Sequence, residues 1–81
     1  MMNKFLKIGD YVFGGSVVYV GVSGGTLTLN YDDKQINLTG AGSFGAADKT
    51  AVEDALVAVW GQSYTDSTID VTLSQAITTV A

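Results

Sequence analysis

Cysteine, histidine, arginine and proline are all missing from this sequence. Without cysteine or histidine the chain has no thiolate nucleophile, disulfide, imidazole base or zinc cluster, and no imidazole to change charge near neutral pH. Without arginine it has no planar, bidentate clamp for phosphate or carboxylate. Charge of either sign is scarce, at 15% of residues against ~25% in an ordinary soluble domain. The four lysines, Lys4, Lys7, Lys34 and Lys49, are dispersed, and eight acids outnumber them for a net charge of −4. Nucleic-acid binding requires a concentrated basic footprint that releases counterions, so no nucleic-acid partner is expected. The acidic balance also repels anionic membrane surfaces.

Long hydrophobic runs are missing too. No charge falls between Tyr11 and Tyr31, but Gly14, Gly15, Gly21, Gly24 and Gly25, with interleaved Ser, Thr and Asn, leave no run of ~18 apolar residues. No membrane partner is expected. Lys4 and Lys7 ahead of the apolar Tyr11–Val22 stretch have the outline of a secretory leader. Asp10 and the Gly14-Gly15 pair interrupt it, and the same alternation continues past Val22, so the segment is read as part of the folded, soluble chain.

What is present is apolar: 47% of 81 residues. At this size folding hides only about 62% of the chain's surface, enough for one thin core. The reading is a single domain over residues 1–81, too apolar to be disordered, with association between subunits as an added source of stability.

Ser16–Val22 is β-branched and aromatic, bounded by glycine pairs and too short for a helix. As a strand it points Val18, Val20 and Val22 to one face and Val17 and Tyr19 to the other. Thr26–Tyr31 and Gln35–Thr39 alternate cleanly, with Leu27, Leu29, Tyr31, Ile36 and Leu38 inward, and Asp32-Asp33-Lys34 joins them as a hairpin loop. Upstream, Phe5–Phe13 contains one further strand, interrupted or bent near Gly9-Asp10. Helical spacing occurs once, at Val52, Ala55, Leu56, Val59 and Ser63, with Asp48 as N-cap or a Thr50/Glu53 capping box, and Gly61 ends it. After a polar loop through Tyr64, Thr65 and Asp66, Ile69, Val71 and Leu73 alternate as a last clear strand, and Ala76–Val80 forms an edge strand or a tail. The fold class is α+β: a small antiparallel β-meander in the order β-β-β-β-α-β with one helix packed on it. Strong curvature would close it partly into an SH3-like barrel, and Lys7-Ile8-Gly9-Asp10-Tyr11-Val12 is similar to the opening strand of many such barrels.

Gly40-Ala41-Gly42-Ser43-Phe44-Gly45 matches G-x-G-x-x-G between a strand and a helix. The preceding strand alternates like a hairpin member, Asp48 brings negative charge to the place of a phosphate, and no ribose-binding acid follows at the right spacing. It is read as a strand-to-helix loop, and no cofactor is expected. Asp32-Asp33 and Asp66/Asp70 lack calcium-loop spacing, no base is placed to activate a Ser or Thr, and no S-x-x-K pairing occurs. Neither a catalytic nor a metal site is predicted, and the chain is not expected to be an enzyme.

The informative feature is a surplus of apolar surface. On a helical wheel Val57 falls between Glu53 and Asp54, away from the core stripe, with Trp60 at the stripe's edge. Val17 and Tyr19 form a second apolar strand face. These four residues are the expected interface, for a homo-oligomer or for contact with other structural proteins. The Gly-, Thr-, Ala- and Val-rich, lightly charged composition resembles the small, uncharacterised structural proteins of tailed phages, marine ones included. That resemblance implies a self-associating virion component and carries over no functional residue. The alternative is an SH3-like adaptor or ligand-binding module using Tyr11, Tyr19, Tyr31 or Trp60.

Overall fold

The computed structural model describes residues 3–61 and 66–81. Seven strands and one helix follow in the order β1 (Lys4–Ile8), β2 (Tyr11–Gly14), β3 (Tyr19–Ser23), β4 (Thr26–Asn30), β5 (Gln35–Gly40), α1 (Ala46–Gly61), β6 (Ser67–Val71) and β7 (Ile77–Val80). They form two sheets, one of order β2-β1-β6 and one of order β3-β4-β5-β7. The class is α+β, and the two sheets do not close into a barrel.

Two features depart from a simple meander. The segment expected to hold one strand, interrupted or bent near Gly9-Asp10, is two strands joined there as a hairpin, because Gly9 takes a φ of +61°, a left-handed backbone that glycine adopts without a Cβ clash. Ile8 and Tyr11 thus face each other across a two-residue turn. The second departure is the pairing of β6 with β1, which is parallel, in the register Lys4↔Ser67 to Ile8↔Val71. A parallel neighbour needs a long crossover, and here β2 to β5 and the helix lie between the two strands in the chain. The C-terminal stretch is an edge strand: β7 pairs antiparallel with β5, with a bulge at Thr39/Gly40.

The second sheet separates its faces sharply. Val20, Leu29 and Ile36 share one row, and Val22, Leu27 and Leu38 another, both turned to the core. On the opposite face Gly21 lies beside Thr28, which lies beside Asn37. Tyr19, Asn30 and Gln35 form the row on one side of these, and the pairs Ser23–Thr26 and Thr39–Thr79 lie on the other.

The helix runs through Val52, Ala55 and Val59, all buried, with Leu56 packed half-buried beside them. It bridges the sheets, packing on β1 and β6 of the first and on β3 of the second. Leu6, Leu27, Leu29, Leu38, Val52 and Val59 are the largest fully buried side chains, each contributing roughly 1.5–3 kcal/mol of apolar burial. Ser63, expected on the helical stripe, and Tyr64 and Thr65, expected in the following loop, lie outside the described residues.

The helix begins two residues before Asp48, which therefore is not the N-cap. Gly45 is: its carbonyl accepts from the amides of Asp48 and Lys49 at 3.0 and 3.2 Å. Asp48, three residues on, reaches back so that its Oδ2 accepts from the Gly45 amide at 2.9 Å, the acidic half of a capping box.

Candidate interaction groove

Four residues of α1, Glu53, Leu56, Val57 and Trp60, have i, i+3, i+4, i+7 spacing and form one stripe along the helix. That stripe faces Val17 and Val18, just ahead of β3, and Tyr19 and Val20 at its start, and the two sides enclose a shallow groove of about 390 Å³. Its side chains are unusually exposed for their size: Val57 75%, Tyr19 62%, Val18 61% and Trp60 48%.

The groove wall at Trp60 is fixed from below. The Trp60 indole Nε1–H donates to the Gly15 carbonyl at 2.6 Å, and the Gly15 amide donates to the Lys4 carbonyl at 2.6 Å. The bond satisfies the polar edge of a ring whose body is apolar, and it joins the end of the helix to the end of the β1–β2 hairpin. A Cβ on residue 15 would lie 2.8 Å from the Lys4 carbonyl oxygen, so glycine is what allows the approach. Glu53, the groove's one ionised side chain, pairs with Lys49 at 3.0 Å. The rim is thereby close to neutral, although an exposed pair of this kind adds only a few tenths of a kcal/mol to stability.

All four residues expected at an interface, Val17, Tyr19, Val57 and Trp60, line this one groove. Their roles differ. Val17 lies ahead of β3, half-buried and packed against the core, while Tyr19 opens to solvent. Two groove residues were not legible in the pattern. Val18 was expected on one face with Val20 and Val22, yet its amide donates to the Asn30 carbonyl at 2.7 Å and its side chain is exposed where that of Val20 is buried; only the preceding Gly-Gly-Ser run hints that the strand starts late. Leu56, expected on the core stripe, does pack half-buried against the core and in addition lines the groove.

The other sequence candidates are structural. The loop at Gly40–Gly45 is held by its own chain: Gln75 accepts from the Gly42 amide, its Nε2 donates to the Ser43 carbonyl at 2.6 Å, and Phe44 is buried with its amide on the Gly25 carbonyl. The Gly45 amide, where an anion at a helix N-terminus would bind, is taken by Asp48. Burial pushes the Asp48 carboxyl up, but hydrogen bonds from the Gly45 amide, the Ser74 amide and the Ser74 hydroxyl outweigh it and hold the pKa below its ordinary value. Tyr31 donates its hydroxyl to the Gly14 carbonyl at 2.7 Å, and burial raises its pKa. Buried Lys4 donates to the Ser67 hydroxyl at 3.2 Å. A second hollow, of about 350 Å³, lies between the Gly9-Asp10 turn and the segment from Thr72 to Ile77, and its one carboxylate is Asp10.

Among the described residues no three acidic, histidine or cysteine side chains gather to hold a metal, and no helix is long and apolar enough to cross a membrane. Comparison with protein families, characterised proteins and solved structures finds no match to this chain.

Proposed function

We propose that this chain is a small, non-enzymatic structural protein that assembles with copies of itself, its contact centred on the groove between α1 and the start of β3. The supporting observation is the meeting of Val17 and Tyr19 with Val57 and Trp60, some forty residues later, around one apolar groove with a neutralised rim. Contiguous apolar patches on soluble proteins mark contact sites more often than chance. Trp and Tyr are the residues that most often dominate such contacts, and Trp60 is already ordered by its bond to Gly15, which lowers the entropy lost on association. The low charge of the chain fits a protein that is seldom alone.

The narrower form of this reading is a virion component of a tailed phage, supported by the Gly-, Thr-, Ala- and Val-rich composition. The adaptor reading has less support, because the sheets remain open, Tyr31 spends its hydroxyl on Gly14, and Tyr11 stacks on Phe13.

Light scattering across a concentration series tests the main proposal. Oligomers that revert to monomer with Val57→Lys are expected; a monomer at every concentration overturns it. Tail or capsid genes beside the coding gene are expected on the virion reading, and metabolic neighbours would count against it.

A further inference from the structure

We infer that the outer face of the second sheet is a binding surface for a neutral polysaccharide. The chain carries twelve ionisable Lys, Asp and Glu residues, yet none of them lies among the outward rows of β3, β4, β5 and β7. Exposed sheet faces and edges ordinarily carry charge for solubility and to block unwanted pairing. This one instead presents hydroxyls, carboxamides and a single exposed aromatic ring.

The face has relief. Gly21, Thr28 and Asn37 form a low central row across three strands, and nothing lies within 4 Å of where a Gly21 side chain would begin. Tyr19, two residues before Gly21 on the same side of β3, stands beside this trough. With neighbouring strands ~4.8 Å apart, four strands give a track of about 14 Å, long enough for a short run of sugar rings.

Its polar groups are held ready. Gln35 Nε2 donates to Asn30 Oδ1 at 3.1 Å, and Asn30 Nδ2 donates to the Tyr19 carbonyl at 3.4 Å. The Thr28 hydroxyl donates to Asn37 Oδ1 at 3.1 Å. These bonds orient the carboxamides along the face and leave the Asn37 amide hydrogens and Gln35 Oε1 for a ligand. Preorganised groups lose less entropy on binding.

The same features select the class of ligand. A nucleic acid or acidic polymer would find no cation on this face. A protein partner would want a central cluster of buried aromatic or aliphatic anchors, and apart from Tyr19 the three rows hold no large apolar side chain. An uncharged polymer with many hydroxyls and one apolar ring face per unit matches both the hydrogen-bonding groups and the Tyr19 ring.

Electrophoresis of the full chain through gels containing soluble β-glucan, galactomannan or polygalacturonate tests this. Retardation by at least one of the two neutral polymers is expected, with none by polygalacturonate. Tyr19→Ala and Asn37→Asp should each weaken the retardation about tenfold, equivalent to ~1.4 kcal/mol. Tyr19 also lines the groove, so Asn37→Asp, which leaves the groove untouched, separates this surface from self-association: it should weaken retardation with the oligomer unchanged. Thermal unfolding checks that each variant folds, and Thr28→Val replaces Asn37→Asp if that variant does not. Absence of retardation in both neutral gels, equal retardation in polygalacturonate, or indifference to Tyr19→Ala and to the face variant would overturn the assignment. An oligomer abolished by Asn37→Asp, without retardation in either neutral gel, would overturn it in favour of a second copy of the chain.

Discussion

The carboxylate of Asp48 accepts from both the backbone amide and the hydroxyl of Ser74, 26 residues away, at 2.7 and 2.9 Å. One of its oxygens also caps the helix through the Gly45 amide at 2.9 Å. A side chain only 4% exposed therefore locks the start of α1 to the segment joining β6 and β7. Hydrogen bonds to an ionised acceptor are worth about 1.5–3 kcal/mol, and donors left unpaired by its removal cost a similar amount. Asp48→Ala should lower the unfolding free energy by about 3 kcal/mol, and Ser74→Ala, which keeps the backbone amide, by about 1 kcal/mol. Urea unfolding of the two variants distinguishes this ordering from an equal or reversed one.

The lowered Asp48 pKa gives that lock a pH dependence. A carboxyl whose native pKa lies below its unfolded value, ~3.9, contributes its full stability above the unfolded value. The contribution declines as pH falls below that point and is gone once pH has passed through the lower native value. Asp48→Asn should therefore show a flatter acid limb in stability against pH. The gap between it and the parent protein should be widest from neutrality down to about pH 5 and close progressively below about pH 4. A constant gap down to the acid end of the titration would mean that the charge contributes nothing.

How much of this was legible follows from how local each signal is. β4 and β5 stand in the sequence because Leu27, Leu29 and Leu38 alternate with polar residues, and because Asp32-Asp33 and Gly24-Gly25 mark tight reversals. The helix shows itself by the spacing of Val52, Ala55 and Val59, and the same wheel exposes Val57. The parallel contact of β1 with β6 left no trace, since alternation says which face a strand buries and nothing about its distant neighbour. Val18 misled for a related reason. Period-2 reasoning assumes the strand begins where the β-branched run begins, and β3 begins at Tyr19. Val57 and Tyr19 were readable one at a time, whereas their meeting depends on where α1 lies along β3, which is set by packing.

Groove and core variants should behave differently. Val57 is exposed, so Val57→Lys should shift monomer stability by no more than about 0.5 kcal/mol while dissociating the oligomer. Leu29 is fully buried on the core-facing side of β4. Leu29→Ala should cost about 2–5 kcal/mol through the cavity it leaves, with assembly of the remaining folded protein unchanged. Trp60→Ala should affect both, since its ring lines the groove and its N–H ties the helix to Gly15. Light scattering paired with urea unfolding on the three variants gives the comparison. Equal assembly defects in Val57→Lys and Leu29→Ala would point to stability, and not to the groove, as the cause.

Gly15 connects fold and groove most directly. Its amide and carbonyl are both committed, to Lys4 and to Trp60, and a Cβ there would meet the Lys4 carbonyl oxygen at 2.8 Å and its carbonyl carbon at 3.0 Å. Both atoms belong to the backbone of a strand paired on each side, so they have little room to retreat. Gly15→Ala should therefore displace residue 15, stretch its bond to Trp60 and destabilise the chain by about 1–3 kcal/mol, the range for overpacking a closed site. Trp60 is the chain's one tryptophan, so its emission reports this local change without ambiguity. A red-shifted spectrum in a variant that still folds, together with weakened assembly, is expected if the Gly15 bond is what sets the indole against the groove. An unshifted spectrum with normal assembly would mean that Leu56 and the neighbouring wall hold the ring without it.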